Sequence, residues 1–158
     1  MSMGRRYNYG GQLTATAAKT RASMIATTAI RPRTYMLMLS AINATPNDYV
    51  NEYTLKRITS IGSLAVTATT PTPLDPGEPA SAIVGGAALT GINATGEPNY
   101  TASSDVLSFS HNMHAVFAFY APDGGEFVQE NSVTKGLGLF FVGGTTAYSD
   151  VMSWHYAE

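Results

Sequence analysis

The chain has 158 residues and no cysteine, with 44% hydrophobic and only 13% charged residues and a formal net charge of −2. This balance excludes an intrinsically disordered chain, which needs the opposite composition, and a fold held by disulfides or acting through a thiolate. It gives no general electrostatic case for nucleic acid, and the length suits one domain, residues 1–158, with a full-sized core.

The amino end comes first. Arg5, Arg6, Lys19, Arg21, Arg31 and Arg33, six of the nine basic residues, precede the first acidic residue, Asp48. Residues 1–9 read as a short extended arm, which is either a solvated end or an element that pairs with an acidic partner surface. Lacking a long apolar run, this end predicts neither a signal peptide nor a membrane span.

Strand patterns follow almost without interruption. Residues 10–19, GGQLTATAAK, alternate, with Leu13, Ala15 and Ala17 opposite Thr14 and Thr16. Residues 16–30 could form a helical turn or two, but their β-branched residues disfavour it. RTYMLMLSAI, residues 33–42, is apolar on both faces and predicts a central strand covered on both sides. DYVNEYTLKRITSIG alternates with one wet face, and SLAVTATTP turns Leu64, Val66 and Ala68 inward. Further strands are predicted in DVLSFS, in MHAVFAFYA with Phe117 and Phe119 on one face, in GLGLFFVGG and in DVMSWHYAE. APDGGE, residues 121–126, carries hairpin chemistry between MHAVFAFYA and EFVQE. Asn43, Asn93 and Asn99 open N-x-T sequons, read as accidents of composition. Eight or more short strands with Gly-rich turns predict an all-β antiparallel sandwich, and a jelly roll is the topology that folds so many strands into two facing sheets.

Catalytic signals are thin. His111 and His114 are three residues apart, which on one strand sends them to opposite faces and away from a common metal ion. Ser108, His111 and Asp105 make a nominal nucleophile set without a nucleophile elbow. His155 is expected to pack or hydrogen-bond at a surface. KGLGLFF lacks the context of a phosphate loop. The expectation is therefore no enzyme, no metal and no cofactor.

TPTPLDPGEPAS, residues 70–81, holds four of the eight prolines. Each proline fixes its own φ and restricts its predecessor, so the loop has little conformational freedom left to lose on docking. Its shortage of N–H donors equally suits a cap that blocks unwanted strand addition. Tyr7 and Tyr9 at one end, and Trp154 and Tyr156 at the other, combine with Arg5 and Arg6 as candidate interface anchors. The alternative for Trp154 is a place in the core.

RPRTYMLML, TPTPLDPGEPAS, EPNYTASSDVLSF, AVFAFYAPDGGEFV, GLGLFFV and WHYAE, in this order, resemble the small β-sandwich capsid cement or decoration proteins of tailed bacteriophages. The resemblance implies a jelly-roll-like protomer that trimerises and binds the major capsid protein on the outer capsid lattice of the virion. It implies reinforcement rather than turnover, synthesis in the host cytoplasm, and no nucleic-acid or membrane partner. It also implies that Pro73, Leu74, Asp75 and Pro76 form a contact element, and that the segment Gly124 to Val128 lies near a subunit boundary. The rival expectation is a carbohydrate- or receptor-binding sandwich of a phage tail fibre or tail tip.

Overall fold

The computed structural model describes residues 4–14, 19–42, 50–83, 89–112, 114–144 and 149–158. Among these residues every regular element is a strand: β1 (Arg6–Leu13), β2 (Lys19–Ile25), β3 (Arg33–Ile42), β4 (Val50–Ser60), β5 (Ala65–Ala68), β6 (Thr72–Pro73), β7 (Gly91–Gly96), β8 (Asn99–Asn112), β9 (Phe117–Tyr120), β10 (Phe127–Val128), β11 (Gly136–Gly143) and β12 (Ser149–Ala157). They form two antiparallel sheets packed as a sandwich. The first runs β10-β3-β12-β1-β6, with β9 also on β3, and the second runs β5-β7-β2-β11-β4-β8.

Period-2 alternation explains the core. In β12, Asp150, Met152, Trp154 and Tyr156 are buried while the residues between them are half-exposed. Opposite them in register stand Leu13, Tyr9 and Tyr7 of β1, and Leu37 and Leu39 of β3. The second sheet meets this layer with Ala22, Met24, Tyr53, Leu55, Leu137, Leu139 and Phe141. Each fully buried large side chain here contributes about 1.5–3 kcal/mol. The ring pairs Tyr7–Tyr156 and Tyr9–Trp154, directly opposite across β1 and β12, both stack at 5.6 Å.

Three expectations change. The amino-terminal arm is, from Arg6 onward, an interior strand between β12 and β6, because its alternating Tyr7, Tyr9 and Leu13 have a core to fill. Residues 19–25 are strand, in line with the β-branched residues that disfavour a helical turn. The strand predicted over 10–19 breaks into the end of β1 and the start of β2, with Ala15 and Ala17 outside the described residues. APDGGE does not reverse the chain: β9 and β10 both run antiparallel to β3, pairing Tyr120 with Met36 and Phe127 with Thr34. The turn chemistry is present, with Gly124 at φ 81° and the Gly125 N–H donating to the Pro122 carbonyl at 2.8 Å. Its effect is to loop six residues out of one sheet edge, after which the chain resumes its direction.

The two sheets differ on their outer faces. The second is roofed by a smaller cluster, in which Ile25 and Ile58 pack with Leu64 and Ala94 beneath the β5–β7 excursion. Tyr100 lies flat across this face and its hydroxyl meets the Thr20 hydroxyl at 2.6 Å. Gly138 permits this, since a Cβ there would sit 2.4 Å from the Tyr100 hydroxyl. The first sheet carries no such roof among the described residues.

Candidate interfaces

The proline loop docks on its own chain. Thr72 and Pro73 pair with Asn8 and Tyr7, and the Leu74 N–H donates to the Arg6 carbonyl at 2.9 Å. Pro73 has no N–H to offer a further strand, so β6 caps the edge of β1 at Tyr7 and Asn8. Asp75 then caps a turn: its carboxylate accepts the Gly77 N–H at 2.9 Å and its carbonyl the Glu78 N–H at 3.0 Å. Arg5 pairs with Glu78 at 3.0 Å and the Tyr7 hydroxyl donates to the Pro79 carbonyl at 3.1 Å. Four prolines thus hold a short cap rigid against a sheet edge. Its outward tip is Leu74, 47% exposed, with Asp75 and Pro76 also exposed.

Most of the sequence-predicted anchors lie elsewhere than expected. Tyr7, Tyr9, Trp154 and Tyr156 are 0%, 2%, 0% and 0% exposed and belong to the core, so none of the four is a surface anchor of the folded chain. Alternation decides this: each shares the inward parity of Leu13 or Met152. Arg5 reaches solvent, and Arg6 and Pro73 are half-buried.

The outer face of β3, β12 and β1 carries side chains that the sequence reading did not single out. Its centre holds Met36, Met38, Tyr35, His155, Ser153 and Asn8, beside Tyr120, which is 63% exposed on β9. β3 was expected to be covered on both sides; among the described residues only its inner face has a packed layer, and Met36 and Met38 on the outer face are half-buried. The Arg6 guanidinium lies over the Tyr35 ring at 5.5 Å, and Tyr35 meets His155 edge-on at 6.0 Å. No outward-facing residue of β1, β3, β9, β10 or β12 is a carboxylate, and the two cations, Arg6 and Arg33, lie at one end.

His155 gives this face a pH dependence. Burial lowers its pKa from the ordinary 6.5, since water no longer solvates the imidazolium, while Ser153 meets its Nε2 at 2.8 Å. A lowered folded-state pKa means that the unfolded chain binds the proton first. Stability is therefore full above about pH 6.5 and declines as pH falls through the lower folded value. A His155→Gln variant should show a flatter melting temperature profile between pH 7 and 5; an unchanged slope would assign the pH dependence to another group.

At one end of the sandwich a polar box joins the sheets. Asp150 of the first sheet accepts from the Tyr53 hydroxyl and from Asn51 Nδ2 at 3.3 Å, and its other oxygen lies 3.1 Å from His111 Nε2. Arg21 sits over the Phe141 ring at 4.6 Å, its pKa lowered by burial and partly restored by Tyr53 and Asp150. This arrangement dissolves the nominal nucleophile set. His111 points inward to Asp150, whereas Ser108 and Asp105 are exposed. His114 stands exposed in a turn. Among the described residues no group of three His, Asp or Glu could hold a metal ion, and the groove along β4 and β8 has Glu52 as its one ionisable lining residue. The arrangement can lock two sheets together; it offers no substrate-facing acid–base pair. No family model, curated protein or solved structure matches this chain.

Proposed function

We propose that this chain is a bacteriophage virion structural protein, a homotrimeric capsid cement or decoration protein that binds the major capsid protein on the outer lattice and stiffens the shell. The carrying observation is the outer face of β3, β12 and β1, which has no roof among the described residues and where half-buried methionine and tyrosine side chains stand without carboxylates. Such a face has little electrostatic repulsion to keep it from a like surface, and Met36 and Met38 can repack against varied neighbours. The strand order supports a jelly roll: β1–β12, β2–β11, β3–β9 and β4–β8 are successive nested pairs that alternate between the sheets. On this reading β5–β7 are an insertion that roofs one sheet and caps the other.

Light scattering should return a mass three times that of the 16.7 kDa chain. Met38→Asp places a charge in the centre of the open face. It should yield a monomer whose stability differs from the wild type by less than about 1 kcal/mol, because the site is not in the core. A wild-type monomer at high concentration would count against the proposal. The exposed Tyr120 ring is the one observation favouring a tail-fibre carbohydrate-binding role. Binding on a glycan array, lost in Tyr120→Ala, would move the assignment there.

A further inference from the structure

A second surface is electrostatic. Arg31 and Arg33 flank Pro32 beside β10, and Arg57 reaches the same place from β4 of the other sheet. Arg31 Nε donates to the Gln129 carbonyl at 3.3 Å, and Arg57 Nη1 to the Val128 carbonyl at 2.9 Å. Two guanidiniums, one from the loop before β3 and one from β4 of the second sheet, are thus braced on the adjacent carbonyls of Gln129 and Val128 at the end of β10. Arg31, Arg33 and Arg57 are all exposed. Lys135 joins them and binds Glu130 at 2.7 Å. That hydrogen bond and charge hold the Glu130 carboxyl below its usual range, with smaller contributions from Arg57 and Arg31. Four cations therefore face two carboxylates, Glu130 and Glu126, and one of these is already engaged by Lys135.

A guanidinium has five donors in a planar fork, so a single bond to a carbonyl leaves most of each fork facing outward. Fixing the fork beforehand reduces the ordering cost of binding a planar anion. We propose that Arg31, Arg33 and Arg57 form a docking surface for an acidic segment of a different protein. Carboxylates fit better than a phosphate backbone. Nucleic acid wants a larger basic field, whereas here the chain is net negative and two carboxylates interrupt the patch. A second copy of the chain is a poor match, because no two of its eleven acidic residues are adjacent in sequence. The assignment of a foreign partner rests on the reading of the chain as an adhesion protein; the surface itself does not.

The test is fluorescence anisotropy of the full chain with a labelled hexaglutamate peptide at low ionic strength. Binding should weaken with salt and fall about tenfold in the triple variant Arg31→Gln, Arg33→Gln, Arg57→Gln, since each exposed pair adds little alone. Lys19→Gln, at the far end of β2 opposite Phe141 whereas Arg57 lies opposite Leu137, should bind as the wild type. Arg31 and Arg57 brace β10, so Arg33→Gln alone is the control for folding. It should weaken binding about threefold with an unchanged melting curve. Absence of peptide binding, equal binding by the triple variant, or tighter binding of a single-stranded oligonucleotide through the same arginines would overturn the proposal. A trimer that fails to bind the peptide would overturn this surface and leave the adhesion reading standing.

Discussion

Asp150→Ala should destabilise the chain by about 3–5 kcal/mol, the range for removing one member of a buried charged set. Asp150 and His111 have side chains only 2% exposed, and Asp150 is the first-sheet member of a cluster whose other members all belong to the second sheet. The variant would leave Tyr53, Asn51, His111 and Arg21 without the carboxylate that draws them together. Burial already lowers the Arg21 pKa, and Asp150 is one of two groups that oppose this. Such a loss is a large share of the 5–15 kcal/mol that ordinarily separates folded from unfolded chains. Asp150→Asn keeps an acceptor for Tyr53 but not the charge, and should lose less, about 1–3 kcal/mol. Urea titration followed by the fluorescence of the single tryptophan, Trp154, measures both. A loss below 1 kcal/mol for the alanine variant would mean that the box is solvated and does not clamp the sheets.

Local alternation was the legible part of this fold. β3 spans the same ten residues that RTYMLMLSAI marked out, and the carboxyl-terminal strand fell where DVMSWHYAE predicted it. The two-sheet antiparallel class follows from the number of such runs. What alternation cannot encode is which faces receive a cover. Met36 and Met38 read as buried because they are apolar, yet the roof went to the other sheet, over Ile25 and Ile58. Nor does turn chemistry state a direction. Pro122 and Gly124 make a real turn, but the competing register of Phe127 opposite Thr34 carries the chain forward along β3. Phe119 and Phe127 then stack at 4.9 Å across the loop that separates them.

The candidate sites were less legible for a related reason. Arginine near tyrosine at a terminus suggested an interface, and the arginines are indeed outside or half-outside. Their aromatic neighbours occupy the opposite parity of the same strand, which turns Tyr7 and Tyr9 to the core. A strict reading of RYNYGGQL as a period-2 strand ending in Leu13 would have found this. The Arg31, Arg33 and Arg57 cluster had no such signal. Arg57 joins it only because β4 and β10 meet across the sandwich, a contact between residues 71 apart in sequence.

Trp154→Ala should destabilise the chain by about 3–5 kcal/mol and leave any assembly of the remaining folded molecules unchanged. The indole is fully buried, stacks on Tyr9 at 5.6 Å, and donates from Nε1 to the Thr34 hydroxyl at 2.9 Å. Its removal opens a cavity at the centre of the first sheet, between two strands whose backbones are fixed by their ladders and cannot close on it. Trp154→Phe keeps the stacking and loses the hydrogen bond, so it should cost less, about 1–2 kcal/mol. Thermal melting by circular dichroism reads both variants, and light scattering on the same samples reads their mass. An interface anchor would behave in the opposite way, holding its melting temperature while losing mass, as Met38→Asp is expected to do. The two substitutions therefore form a cross-check on the proposed division of this sandwich into an inner face that folds it and an outer face that joins it to neighbours. If both moved stability together, or both moved mass together, that division would be wrong.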